Sequence, residues 1–257
     1  MSNPRPALAR PTIAALRAAM HAGETGHRYG ALPFGDEGID GCLPGGGLPL
    51  GALHEIAADG LAGETGAETA GFIACLLARL PEASGRPIFW IAPTDDLHPP
   101  GLLPYGLDPA RLILVRSRDD AETLGAMETT LRGGAATAVV GEVARFARTH
   151  SRRLQFACRA HGVTGFALRR WSWGGRVADR ETSAAATRWK VAALPSDALG
   201  RIPGVPRWAV TLEHARGGTE GAWIMELEID DAAHALRVVA ELADPAADPR
   251  RLLRAHG

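Results

Sequence analysis

Nucleotide chemistry, if this chain performs any, has one place to sit. Leu53-His54-Glu55-Ile56-Ala57 is long enough for a short buried strand, and Leu61 to Leu80 reads as a Gly-rich loop running into an apolar helix. Strand, glycine-rich loop and helix make up the layout of a phosphate-binding loop. Its working form is G-x-x-x-x-G-K-[ST]: backbone N–H groups cradle the phosphates, the lysine reaches the β and γ oxygens, and the hydroxyl holds Mg²⁺. With Gly66 as the last loop glycine, Leu61 takes the first glycine position and Gly63 falls inside the loop. Ala67 then stands at the lysine position and Glu68 at the hydroxyl position. No register restores the lysine, because Lys190 is the only one in 257 residues. Between Tyr29 and Ala78 there is no Arg or Lys, while Asp36, Glu37, Asp40, Glu55, Asp59, Glu64 and Glu68 are acidic. Such a field repels a triphosphate, and a helix N-terminus alone does not offset it. The segment is predicted to keep the shape of a phosphate loop without its chemistry, so no ATP affinity, cofactor or metal is expected.

The run ahead of the strand, Leu43-Pro44-Gly45-Gly46-Gly47-Leu48-Pro49-Leu50-Gly51-Ala52-Leu53-His54-Glu55-Ile56, resembles the approach to the ATP-binding core of the RecA recombinases. Together with the damaged loop behind it, the pattern is similar to the inducible-mutagenesis A proteins (ImuA), bacterial SOS-response relatives of RecA. The resemblance covers roughly residues 30 to 240. It implies an α/β fold: a RecA-like, mostly parallel sheet flanked by helices, with an antiparallel C-terminal extension. In RecA the end of the strand matching Ala136 to Glu142 carries a metal-holding aspartate. Gly141 stands there, with Glu142 one place on, and a one-residue offset turns a strand side chain to the other face. Where RecA-type ATPases place a water-activating glutamate, the strand Pro87 to Ala92 leads into Asp95 and Asp96; either acid fits as a substitute or as a solvated loop residue.

The resemblance further implies a non-catalytic accessory protein of mutagenic translesion synthesis. Its partners would be an inactive Y-family polymerase relative (ImuB), an error-prone replicative-type polymerase and RecA, with no membrane. Two other readings compete: a SulA-like inhibitor of the tubulin-like division protein, and an active DNA-dependent ATPase, which the missing lysine opposes.

Charge distribution supplies a second candidate site. Eleven bases lie between Arg145 and Lys190 against Asp179 and Glu181, in a chain whose formal net charge is −1. Within them Arg169-Arg170-Trp171-Ser172-Trp173-Gly174-Gly175-Arg176, then Arg180, Arg188 and Lys190, combine arginine for phosphate with tryptophan for base faces, as single-strand binders do. Tryptophan and arginine also dominate protein interfaces, so DNA or a partner protein fits, as does simple packing of a sheet edge. Glu220 to Asp248 is the counterweight, with eight acids against Arg237. Arg250, Arg251, Leu252, Leu253 and Arg254 form a short amphipathic tail that suits either partner docking or a helix closing the sheet.

The elements that must position these residues alternate strand and helix from Leu53 to Leu168, which argues for a parallel sheet covered on both faces. Thr187 to Leu194, Arg207 to Arg216, Ala222 to Asp230 and Ala235 to Leu242 follow without helices and read as the antiparallel extension. The organisation is therefore an N-terminal segment over 1–28 with a short helix from Thr12 to Ala22, a RecA-like domain over 29–243, and a tail over 244–257. Three widely spaced cysteines, no metal-ligand spacing among nine histidines, no apolar run of membrane-spanning length and no signal-peptide core point to a cytoplasmic protein.

Overall fold

The structure, a computed structural model, describes residues 28–58, 62–81, 85–170, 183–195, 204–228 and 236–242. The N-terminal helix expected over 12–22, the tail residues Arg250 to Arg254, and Trp171, Trp173, Arg176 and Arg180 lie outside these.

The first described element is a two-stranded ribbon, β1 (Ala31–Leu32) against β2 (Leu48–Pro49), joined through the short helix α1 (Glu37–Cys42). Asp36 caps α1, accepting from the N–H groups of Gly38 and Ile39. Gly47 must be glycine, because a Cβ there would stand 2.5 Å from the Leu32 carbonyl oxygen. The strand β3 (Leu53–Ala58) then enters the main sheet, followed by α2 (Ala62–Ala78), β4 (Ile88–Ala92), β5 (Leu112–Arg116), α3 (Asp120–Gly133), β6 (Ala138–Val143), α4 (Arg148–His161) and β7 (Thr164–Arg169). Four further strands follow among the described residues: β8 (Thr187–Leu194), β9 (Arg207–Ala215), β10 (Gly221–Leu227) and β11 (Leu236–Glu241).

The nine strands are ordered β11-β10-β9-β8-β3-β7-β6-β4-β5. Pairing is parallel from β5 through β8 and antiparallel from β8 through β11. This is the α/β sheet with an antiparallel extension that the sequence implies, with one difference. By its sequence the run Thr187 to Leu194 belongs to the antiparallel extension, but β8 pairs parallel with β3 and antiparallel only with β9. Parallel strands are joined by long crossovers, and the stretch from Arg170 to Ala186 is long enough to be one.

Two apolar layers hold the sheet. On one face α2 supplies Phe72, Ile73, Leu76 and Leu77 against Trp90, Phe166, Trp189, Trp208 and Trp223. These four tryptophans are fully buried, and Trp189 stands 5.4 Å from Phe34 and 6.5 Å from Trp223 between ring centres. On the other face α3 and α4 contribute Leu124, Met127, Leu131, Leu154 and Cys158 against Leu53, Ile91, Val139 and Ala167. A buried relay ties the ribbon to the sheet. The Pro49 carbonyl can only accept, so His54 Nε2 donates to it at 2.9 Å. Its Nδ1 then accepts from the Thr187 hydroxyl at 2.7 Å, and that oxygen accepts from Trp189 Nε1 at 2.7 Å.

Cys75 and Cys158 sit fully inside these layers, and burial pushes both thiols up to about 12, whereas Cys42 is half-buried. Thiol reagents attack the thiolate, so native protein should label quickly at Cys42 alone and at all three positions once unfolded. Fast native labelling of Cys75 would mean that α2 is not packed on the sheet.

Candidate functional site

The carboxyl ends of the parallel strands are where open α/β sheets bind ligands, and here they carry two ionic groups, one buried and one reaching from the interior to the surface. Side chains alternate along a strand, so Arg169 and Arg170, adjacent in sequence, leave β7 on opposite faces.

Arg169 turns to the face covered by α3 and α4. Its Nη1 donates to Glu55 Oε1 on β3 at 2.8 Å and its Nη2 to the Ala144 carbonyl at 3.0 Å, and both side chains of the pair are almost wholly buried. An ionised group held this way is bound to its partner, because leaving either charge alone inside the protein is costly.

Arg170 turns to the face covered by α2. Its Nη1 donates to Glu142 Oε2 and to Asp96 Oδ1, each at 3.0 Å, while Nη2 binds the second Asp96 oxygen. Glu142 is buried, and its other oxygen accepts from Trp90 Nε1 at 2.7 Å. Burial disfavours the Arg170 charge, but the hydrogen bonds to Asp96 and the charge of Glu142 outweigh it and raise its pKa. Burial likewise pushes the Asp96 carboxyl up, and the hydrogen bonds from Arg170 and Thr94 overcome this and leave it below the usual aspartate value. The group is a charge-assisted cluster of one guanidinium and two carboxylates, with an indole N–H completing it.

The cluster lies against α2. A Cβ on Gly66 would stand 2.9 Å from Nε and Nη2 of Arg170, so glycine at this position lets the guanidinium approach the helix backbone. Two expectations from sequence need correction here. The segment expected to keep the shape of a phosphate loop is helical from Ala62, which places Gly63, Gly66, Ala67 and Glu68 within α2 and leaves only residues 59–61 between strand and helix. Ala67 is exposed and Glu68 half-buried. The Glu142 side chain, expected on the other face, points to the α2 side. Gly141 is the residue facing α3, where a Cβ would collide with Met127 Sδ at 2.1 Å. Of the two loop acids, Asp96 joins the cluster, while Asp95 is an exposed residue 3.2 Å from Arg116.

Of the remaining DNA or partner candidates, the two that are described do not join them. Arg188 and Lys190 lie on β8 on the face opposite buried Trp189, and both pair with Glu213 on β9, at 3.3 and 3.1 Å. Sequence reasoning missed Glu55 and Trp90 as site residues. The signal for Glu55 was an acid inside an otherwise apolar strand, which requires a buried cation. Trp90 gave no comparable signal, since its indole N–H is polar only at one atom.

No family model matches the chain. Two curated relatives do: Protein ImuA of Caulobacter vibrioides strain NA1000 / CB15N and of strain ATCC 19089 / CIP 103742 / CB 15. Each is 44% identical over 222 residues, spanning 83% of this chain and 90% of the relative. Among solved structures, SulA from Pseudomonas aeruginosa is similar at 25% identity with a TM-score of 0.39, covering 46% of this chain and 96% of SulA.

Removing the cation should expose what the cluster does for stability. Arg170→Ala takes the cation away from the buried Glu142, and about 3 kcal/mol of folding stability should be lost. In the double variant Arg170→Ala/Glu142→Gln no carboxylate charge is stranded, and the Gln oxygen still accepts from Trp90, so part of the loss should return. Urea unfolding of the wild type and these variants measures this; equal losses in the single and double variants would show that the ion pair is not what holds this edge.

Proposed function

Since this chain belongs to the ImuA family, on 44% identity across 83% of its length to two curated members, we propose that it is a non-catalytic accessory protein of SOS-induced mutagenic lesion bypass. It works as a RecA-like scaffold that binds other proteins and performs no nucleotide hydrolysis. The observation that carries the reading is Arg170. Its guanidinium lies against α2 at Gly66 and binds both Glu142 and Asp96. These two acids stand near the positions where the RecA resemblance puts a metal-holding and a water-activating carboxylate. Both are engaged by a side chain of the protein itself. The absence of any Arg or Lys from Tyr29 to Ala78, together with the helical winding of residues 62–66, supports the same reading, because no phosphate-reaching lysine is at hand.

On this reading the partners are an ImuB-type inactive polymerase relative, an error-prone replicative-type polymerase and RecA, and the protein acts in the cytoplasm. Among the described residues no helix is long and apolar enough to cross a membrane. Affinity purification of the tagged chain from DNA-damaged cells tests the assignment. The polymerase relative and the error-prone polymerase should co-purify in stoichiometric amounts. Recovery of the tubulin-like division protein in their place would replace this reading with that of a division inhibitor.

A further inference from the structure

The excess of positive charge between Arg145 and Lys190 can be divided by what each base touches. Arg153 pairs with Glu128 at 2.7 Å, Arg169 with Glu55, Arg170 with Glu142 and Asp96, and Arg188 and Lys190 with Glu213. Arg145, Arg148 and Arg152 are different: their residues are exposed, and among the described residues no carboxylate pairs with them. Arg148 and Arg152 are one helical turn apart on α4, and one turn further along the same stripe is Phe156. Phe156 is 70% exposed, more than any other large apolar side chain among the described residues. Its neighbours at three and four positions either way are Arg152, Arg153, Arg159 and Ala160, so the ring stands among guanidinium groups without an apolar companion of its size.

Folding alone does not account for this helix face. The first turn of α4 has no acidic residue, Ala147 provides no side-chain cap, and Arg148 sits at the positive end of the helix dipole. The neighbouring α3 does the reverse, with Asp119 as cap and Asp120 and Glu122 in its first turn. The approach to α4 is nonetheless fixed, because Asp120 accepts from the backbone N–H groups of Ala144 and Arg145 at 3.0 and 2.8 Å. A surface of arginines that no carboxylate pairs with among the described residues, beside one bare aromatic ring, matches a ligand that carries phosphates and flat apolar rings in alternation.

We propose that the exposed face of α4, with Arg148, Arg152 and Phe156, together with Arg145 on the approach to the helix, binds single-stranded DNA, the arginines contacting phosphates and the Phe156 ring stacking on a base. An acidic protein segment satisfies the arginines but not the ring, which has no apolar surroundings to extend a protein contact. A base needs only the ring face. This moves the nucleic-acid contact away from Arg169 and Arg170, which are committed to carboxylates of the chain itself, and it stands independently of the accessory-protein reading.

Anisotropy titration of the full chain against labelled oligothymidylate at several salt concentrations tests the assignment. The wild type should bind, with log K falling as log salt rises. In Arg145→Ala/Arg148→Ala/Arg152→Ala the slope should shrink by about 2, at ~0.7 for each phosphate that is no longer neutralised. Phe156→Ala should weaken binding by about five- to a hundredfold with the slope unchanged. Arg188→Ala/Lys190→Ala should bind nearly as the wild type does, since both side chains are already engaged by Glu213 on β9. Melting temperatures of the α4 variants should stay at the wild-type value, because all four side chains are exposed. Absence of wild-type binding at low salt overturns the proposal, as does a triple variant with the wild-type slope. A silent Phe156→Ala, with polyglutamate or duplex DNA competing equally, also overturns it by reducing the face to a general polyanion surface.

Discussion

A carboxylate buried at the end of a parallel sheet must find a cation, and in this protein Arg170 meets that demand for Glu142 while also binding Asp96 at the surface. Much else at this edge follows from it. Gly66 lacks a side chain so that the guanidinium can reach the backbone of α2, and Trp90 turns its indole N–H to the oxygen of Glu142 that Arg170 leaves open. The loop after β4 is drawn in through Asp96, while its neighbour Asp95 stays at the surface with Arg116. On the opposite face Arg169 does for Glu55 what Arg170 does for Glu142. Two consecutive arginines thus fasten β7 to β3 on one side and to β6 and the β4 loop on the other. Buried ion pairs add little net stability over apolar packing, but they are intolerant of losing one member. That intolerance makes the edge specific.

The same arrangement bears on nucleotide chemistry. A phosphate site needs backbone N–H groups left open by a loop, a lysine, and carboxylates free to hold a metal. Here α2 begins within four residues of the end of β3, the lysine position is an exposed alanine, and the carboxylates are committed to an arginine of the chain itself. The proposed accessory role follows from a site filled from within, whose surroundings remain rigid enough to present other surfaces, α4 among them.

Much of the fold was legible in the sequence. Alternating apolar strands and helices from Leu53 to Leu168 gave the parallel sheet, and the helix-free run after Thr187 gave the extension, because apolar periodicity reports burial directly. Strand pairing was less legible: β8 reads like its antiparallel successors, and only its pairing in the sheet shows it to be parallel to β3. The candidate site was legible in its residue types but not in its geometry. Composition showed the missing lysine and the clustered arginines. It could not show that Arg169 and Arg170 face apart, that Glu142 rather than Gly141 turns toward α2, or that residues 62–66 wind into the helix. Each of these depends on strand phase and on pairings between residues far apart in the chain. Phe156 was hidden for a related reason. An isolated phenylalanine in a helical segment is ordinarily assigned to the core, and only its phase relative to Leu154, Ala157 and Cys158 reveals that it faces solvent.

Isothermal calorimetry of the wild-type protein with ATP and Mg²⁺ tests the arginine-filled site most directly. No binding heat should be seen up to millimolar nucleotide, because Arg170 and its two carboxylates would have to separate before phosphates could enter. A dissociation constant in the micromolar range would contradict this and return the protein to the nucleotide-binding members of its fold.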